Sequence, residues 1–233
     1  MTPAGELPAW LRPVAEVAAR TSAEQLSSFV PPDRGGRESA VLLLFGEGPE
    51  GPDILIIERS HDMRSHAGQP AFPGGAVDPA DAGPVAAALR EAEEETGLDP
   101  AGVCVFATLP ALYLPPSGFV VTPVLAWWPK PSPVHAVDPA EVASVHRIPL
   151  GELLEPANRI QLRHPGTGYV GHAFRVRSLL VWGFTAGLLS RLLALAGMER
   201  PWRTDVVEDL PPEALALAVR TYDRPQPPTE TPA

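Results

Sequence analysis

The sequence predicts an α/β (α+β) fold, a mixed β-sheet flanked by helices, and three observations carry that prediction. Two short apolar runs, AVLLLF at 40–45 and DILIIER at 53–59, read as strands around the turn composition GEGPEG. A helix with marked ends follows: Pro84 fits its first turn, Gly83 its N-cap region and Gly97 its C-terminal stop. Further strand-like runs then alternate with helical stretches, so the sheet must be covered by helices.

Taken in order, residues 7–28 read as helical, with Pro13 early in the helix or kinking it. PPDRGGRES is a loop before the first strand, and Ser60–Val77 reads as an ordered loop with little periodicity. In the helix from Pro84, Ala86, Ala87, Ala88, Leu89 and Ala92 combine strong helix propensity with a small apolar face. VCVFAT and GFVVTPVLAWW read as strands linked by LPALYLPPS. EVASVHRIPL reads as a strand leading into a short helix at GELLE. NRIQLRH and GYVGHAFRV form a hairpin around Pro165–Gly168, and an apolar helix from Leu179 closes the globule. From Pro201 the chain turns Pro-rich and charged, and YDRPQPPTETPA at the end is expected to be disordered. No internal repeat is visible. The resulting division is an N-terminal helical extension (1–36), a central domain (37–198) and a partly disordered Pro-rich tail (199–233).

Composition bounds the function. A formal net charge of -10 argues against a nonspecific grip on nucleic acid or an anionic membrane surface, both of which need basic surface. It leaves open a phosphate-bearing small molecule, for which one local basic cluster suffices. With 1 cysteine, neither an intrachain disulfide nor a cysteine-based metal site is available, and Cys104 in VCVFA reads as a buried strand residue rather than a nucleophile. The beginning of the chain lacks a signal-peptide pattern, so the default expectation is cytoplasmic. The run 178–197 has the length of a membrane span, but Arg191, Gly183 and Gly187 interrupt it, and it reads as a buried helix of a soluble protein.

The last two turns of the helix from Pro84 collect REAEEET. Residues three and four apart share a helix face, so Glu91, Glu94 and Glu95 point together, Glu93 points elsewhere, and Arg90 can touch Glu94. Like charges at this spacing cost roughly 0.2–0.5 kcal/mol per pair. Carboxylates at the negative end of the helix dipole cost about 0.3–1 kcal/mol each. Glutamate runs on helices are most often solvated faces. The alternative here is a divalent cation that reverses both penalties, and oxygen-only ligands suit Mg2+ or Mn2+ rather than zinc. The Pro-Gly-Gly turn at 73–75 lies a short loop before the helix and allows close backbone approach.

At this point REAEEETGL resembles the core of the Nudix box of Nudix hydrolases: Arg90, Glu91, Ala92, Glu94, Glu95, Gly97 and Leu98 occupy the fixed positions of that pattern. Upstream the match departs. The family places a glutamate six residues after the glycine and the arginine eight after that; here Asp81 stands six after Gly75 and Arg90 nine further on. The preceding segment, RSHDMRSHAGQPAFPGG, resembles the one that marks the coenzyme A pyrophosphatase branch, with Arg59, Ser60, Arg64, Gly68, Phe72, Pro73, Gly74 and Gly75 at its positions. Read physically, Arg59 and Arg64, with His61, His66 and Gln69, form a local basic concentration in an acidic chain, and guanidinium groups bind phosphate bidentately.

The resemblance implies an α/β/α sandwich and hydrolysis of a diphosphate in a nucleotide-type small molecule. It assigns Mg2+ or Mn2+ to Glu91, Glu94 and Glu95, with a carboxylate, either a box glutamate such as Glu94 or Glu141 from a later loop, taking the proton of water. Arg90 then orients a box glutamate, and Arg59, Ser60, Arg64, Gly68, Phe72, Gly74 and Gly75 line the substrate. For coenzyme A or acyl-coenzyme A the products are 3′,5′-ADP and 4′-phosphopantetheine, and the 3′-phosphate needs its own cations, for which Arg163, Arg175 and Arg177 are candidates, along with His164 and His172. Tyr113, Phe119, Trp127 and Trp128 could stack on a base, although aromatics in strands are core residues by default. Other nucleoside diphosphate derivatives (ADP-ribose, a dinucleotide polyphosphate, an oxidised nucleoside triphosphate) and a non-catalytic ligand sensor stay open as alternatives. A homodimer is a common arrangement in the family, and the N-terminal helix could contribute to one.

Overall fold

Residues 7–28 form two short helices rather than one in the computed structural model, which describes residues 6–29, 31, 35–61, 67–115 and 117–216. Helix α1 (Arg12–Ala18) carries Pro13 in its first turn, where a missing N–H costs nothing, and α2 (Ala23–Leu26) follows. The break sits at Thr21–Ser22. The Thr21 hydroxyl donates back to the Val17 carbonyl at 2.7 Å, and Ser22, in extended conformation, donates its N–H to the Gln25 side chain at 3.0 Å. Leu7, Leu11, Val14, Val17 and Leu26 all belong to the largest core cluster. The segment read as an extension therefore supplies core.

The two apolar runs extend into β1 (Arg37–Gly48) and β2 (Gly51–Arg59), joined by a tight turn in which Gly48 pairs with Gly51. The segment 60–77, expected to be loop, contributes β3 (Pro70–Ala71) and β4 (Gly74–Ala76). Near their turn β1 and β2 pair directly; farther along they diverge, and β3 pairs with β2 while β4 pairs with β1. The Pro-Gly-Gly segment is thus wedged into the sheet, held by the Leu42 N–H donating to the Pro73 carbonyl at 2.8 Å. Pairing with two strands distant in sequence leaves no period-2 signature in so short a stretch.

Helix α3 (Pro84–Thr96) has the predicted ends, with Gly97 left-handed at φ 68. Then come β5 (Cys104–Thr108), β6 (Leu112–Leu114) inside the supposed linker, and β7 (Phe119–Trp127), which runs parallel to β1. Pro123, in the middle of β7, lies where β5 stops and β6 starts, so its missing N–H breaks no ladder. Strand β8 (Val142–Pro149) pairs antiparallel with β2 and leads into α4 (Leu150–Leu154). The main sheet has the order β3-β2-β1-β7-β5, with β8 added on β2. Its two faces are both covered. Leu43, Phe45, Ile54 and Ile56 face the N-terminal helices, and Leu42, Leu44, Leu55, Val124, Ala126 and Trp128 face Ala87, Ala88 and Ala92 of α3. That is why these strands read as unbroken apolar runs.

A second sheet holds the predicted hairpin, β9 (Arg159–Arg163) and β10 (Val170–Val176). The apolar run from Leu179 begins as β11 (Leu179–Val181), paired with β10, and only from Gly183 becomes helix α5 (Gly183–Leu195), which packs with α1 and α2 in the main core. No helix among the described residues is long and apolar enough to cross a membrane. Past Pro201 the chain adds β12 (Val207–Asp209), parallel to β9, and buries Leu210. The first part of the supposed tail is thus built into the second sheet; the expectation for 222–233 lies outside the described residues. Cys104 is half-buried, as are Tyr113, Phe119 and Trp127, while Trp128 is fully buried.

Candidate active site

The wedge and α3 meet at one place. Gly74 lies so close to β1 that a Cβ there would stand 2.2 Å from the Ala40 carbonyl oxygen. A Cβ on Gly75 would stand 2.4 Å from the Glu91 carboxyl carbon. Only glycine lets the chain pass between β1 and the acid face of α3 at this distance. The Gly74 N–H donates to Glu95 Oε2 at 2.9 Å, and Arg59, at the end of β2, brings Nη1 to 3.6 Å from Glu95 Oε1. The C-terminal carbonyls of α3 are met by backbone: His135 N–H donates to the Thr96 carbonyl and Val137 N–H to that of Glu95.

Arg90 is the centre of the acidic face. Its Nε and Nη2 donate to the two oxygens of Asp81 at 3.1 and 3.0 Å. Its Nη1 donates to Glu91 at 3.0 Å and Glu94 at 2.9 Å, and Nη2 also reaches the Ala76 carbonyl at 3.2 Å. Asp81 is set by its own turn, since its carboxylate accepts the Asp78 N–H at 2.8 Å. This fork holds the Asp81 carboxyl below the usual carboxylate range and raises the pKa of Arg90. The aspartate one methylene shorter than glutamate, on a loop one residue longer, still meets Arg90 through both oxygens.

The three glutamates sit in three environments. Glu95 is 6% exposed at its side chain, and burial pushes its pKa up to about 7 against the Gly74 N–H and Arg59, with the charges of Glu91 and Glu141 adding to the rise. Glu91 is also raised, by burial first, with Arg90 opposing. Glu94 is 57% exposed. Glu141, in the turn before β8, is exposed, and its backbone carbonyl accepts the Ser60 N–H at 2.8 Å. Ser60, buried, and Gly68, whose N–H donates to the Arg59 carbonyl at 3.0 Å, shape the same loop, and Phe72 is buried in the main core. Arg64 and His66 lie outside the described residues.

The expected metal cluster is only partly preassembled. Among the described residues no three acidic, histidine or cysteine side chains converge as ligands. The repulsion a cation was expected to relieve is answered here by Arg90 on Glu91 and Glu94 and by Arg59 on Glu95. The donor chemistry fits a hard divalent cation all the same: every candidate ligand atom is oxygen, and Glu91 and Glu94 each keep one oxygen outside the Arg90 bonds. The arginines proposed for a 3′-phosphate are committed elsewhere. Arg163 pairs with Asp209, Arg175 takes both oxygens of Glu208, and Arg177 joins Glu50 and Glu152.

Sequence reasoning did not find Asp53–Arg147, a 2.7 Å ion pair accommodated beside Gly46 and Gly48, or the line Glu58–Ser144–His146. The i, i+2 spacing of Ser144 and His146, which puts both on one strand face, was the available signal for the second.

A mixed sheet between helical layers, with a glycine wedge against an arginine-clamped acid helix, defines an α/β architecture. The NUDIX domain model matches residues 36–165. The chain is 43% identical over 171 residues to "Uncharacterized Nudix hydrolase NudL" of Cronobacter sakazakii, covering 71% of this chain and 85% of that one. It is 40% identical over 169 residues to the protein of the same name from Escherichia coli K12, covering 70% and 84%. Among solved structures it is similar to RenU, a Nudix hydrolase of M. smegmatis, with TM-score 0.49 and 20% identity over 76% of this chain and 99% of that one. The chain belongs to the Nudix hydrolase family, enzymes that act on phosphoric anhydride bonds and generally use divalent metal ions.

Proposed function

We propose that this enzyme cleaves the diphosphate of coenzyme A or acyl-coenzyme A, giving 3′,5′-ADP and 4′-phosphopantetheine, with Mg2+ or Mn2+ held by Glu91, Glu94 and Glu95. One observation carries the reading: the segment with the coenzyme A pattern and the acid helix make a single site, through Arg59 on Glu95 and the Gly74–Gly75 backbone against Glu95 and Glu91.

When bound, the cation neutralises phosphate charge and acidifies water. The chain's own residues do the rest. Arg59, beside Glu95, offers a guanidinium for a phosphoryl oxygen. Arg90 positions Glu91 and Glu94 and stays second to them. Glu94, which keeps one oxygen outside its bond to Arg90, is the box glutamate placed to accept a proton from water. Glu141, close enough for its charge to be felt at Glu95, is the second candidate base. Water oxygen bonds to one phosphorus, the bridging P–O bond breaks, and both products leave as phosphates.

The test is a substrate panel (coenzyme A, ADP-ribose, a dinucleotide polyphosphate, an oxidised nucleoside triphosphate) at varied Mg2+ and Mn2+. Coenzyme A is expected to give the highest kcat/KM. If coenzyme A is untouched while ADP-ribose is cleaved efficiently, the substrate reading fails.

A further inference from the structure

The side of β2 and β8 turned away from α3 carries a line of polar groups that the chemistry above does not use. Glu58 pairs in register with Ser144, and His146 lies two residues on, opposite Ile56. Their neighbours on this face, Ile54, Ile56 and Ile148, belong to the core cluster away from α3. Ser144 Oγ donates to Glu58 Oε2 at 2.8 Å and lies 2.7 Å from His146 Nε2. A serine has one proton, and the carboxylate takes it. The second contact must therefore be donated by His146 Nε2–H, which leaves Nδ1 as a hydrogen-bond acceptor. Burial lowers the His146 pKa, which favours the neutral ring.

His146 also lines a cleft of about 290 Å³ at the far end of β8, with Val145, Arg147, Arg177, Glu50 and Asp53. This cleft does not lie at the acid helix. Its two arginines are balanced by carboxylates, Arg147 by Asp53 and Arg177 by Glu50 and Glu152. A phosphate would find no spare cation there. No phenylalanine, tyrosine or tryptophan lines it, so a nucleobase would find no stacking surface. A neutral chain of amides and hydroxyls fits better. Among the described residues β8 pairs only with β2, and its outer edge offers backbone N–H and C=O groups to amides.

The distances agree with one particular arm. Register pairs run from Arg59–Val142, beside Glu95, to Asp53–Pro149, at the cleft, which is roughly 20 Å of strand at ~3.3 Å per residue. The pantetheine arm has about thirteen bonds from phosphorus to sulfur, and at ~1.2 Å per bond it spans roughly 16 Å, enough to pass His146 and enter the cleft. We propose that the β8 edge and its cleft hold the pantetheine arm, and that His146, fixed as an acceptor by Ser144 and Glu58, reads an amide N–H or hydroxyl of that arm. This rests on the coenzyme A reading of the site.

The test compares coenzyme A with an armless diphosphate cleaved in the same panel, ADP-ribose if it serves, in wild type, His146→Ala and His146→Gln. His146→Ala is expected to raise KM for coenzyme A roughly three- to tenfold with kcat unchanged and the armless substrate unaffected, as suits the loss of one hydrogen bond. His146→Gln, which keeps an acceptor, recovers part of the loss. Equal losses on both substrates, or no loss on coenzyme A, overturn the proposal. Calorimetric titration of the metal-free proteins with pantetheine separates this outcome from the activity. If wild type cleaves neither substrate, the functional reading fails, yet weaker pantetheine binding by His146→Ala still supports the cleft. Equal binding by both proteins, or none, sinks it.

Discussion

Arg90 on the acid helix and Arg159 in the second sheet both stand among polar partners, but differently. Arg90 keeps 28% of its side chain exposed and satisfies its N–H donors on Asp81, Glu91, Glu94 and the Ala76 carbonyl. Arg159 is 1% exposed, between the rings of Phe174 and Trp202 at 5.2 and 5.0 Å. Its Nη2 donates to Ser190 and Glu199, while the buried Nε and Nη1 have no hydrogen-bond partner among the described residues. Around Arg90 the carboxylates outnumber the guanidinium, so negative charge is left over on a partly exposed helix face. Around Arg159 one carboxylate meets one guanidinium, and Ser190, Trp202 and His172 close over the pair. A surplus of charge kept in reach of solvent marks a site for chemistry; a neutralised pair under aromatic rings marks a clasp, here joining β9, β10, α5 and the chain after Glu199.

The largest effect should separate the two regions outright. Glu94→Gln and Glu95→Gln are expected to lower kcat on the order of 10²-fold or more, with far-UV circular dichroism unchanged; full turnover in both variants would remove the acid helix from the mechanism. Arg159→Ala should act on stability instead, costing about 3 kcal/mol in urea unfolding because Glu199 loses its partner in a partly buried setting. Arg159→Met should cost clearly less, since its long side chain keeps the packing between the Phe174 and Trp202 rings that alanine gives up. The comparison breaks if either substitution alters kcat of the folded protein more than a few-fold.

Next in size is the clamp. Asp81→Asn is expected to lower kcat about tenfold through misplaced glutamates while the melting temperature falls only a little, because the amide keeps an oxygen for the Asp78 N–H and Arg90 keeps Glu91 and Glu94. A large drop in melting temperature with kcat intact would make Asp81 a structural residue. The smallest effect concerns pH. Burial, helped by Arg159 and Arg191, lowers the His172 pKa below 6.5. The folded chain therefore binds this proton less readily than the unfolded chain. Stability is fully present above the ordinary imidazole pKa and falls as pH drops through it toward the lower folded value. His172→Gln should flatten that part of the pH–stability curve, and an unchanged slope would show that His172 does not feel the clasp.

Much of this was legible in the chain. Helix α3 announces itself because Pro84 and Gly97 mark its ends and alanines its buried face; the contact between Arg90 and Glu94 follows from i, i+4 spacing alone. The central strands are equally plain, because burial on both faces writes continuous apolar runs. The break between α1 and α2 was not visible, since Thr21 and Ser22 fit a helix by propensity and end it only through side-chain bonds to nearby backbone. Strand β11 was hidden at the front of an apolar run that suits helix and strand alike. At the site, the spacing to Asp81 looked like a defect because its grip on Arg90 depends on the turn it builds with Asp78.

By itself the sequence determined the order and kind of most elements, the family, and the presence of crowded glutamates opposite a glycine turn. Such features arise from forces acting within a few residues: caps, periodicity, backbone freedom at glycine. Only the tertiary structure decided what those glutamates meet. The wedge of 70–76 between β1 and β2 brings the Gly74 amide and Arg59 onto Glu95, and the 78–81 turn brings Asp81 onto Arg90. Strand register across dozens of residues sets those contacts, and no local pattern encodes register between strands that are neighbours only after folding.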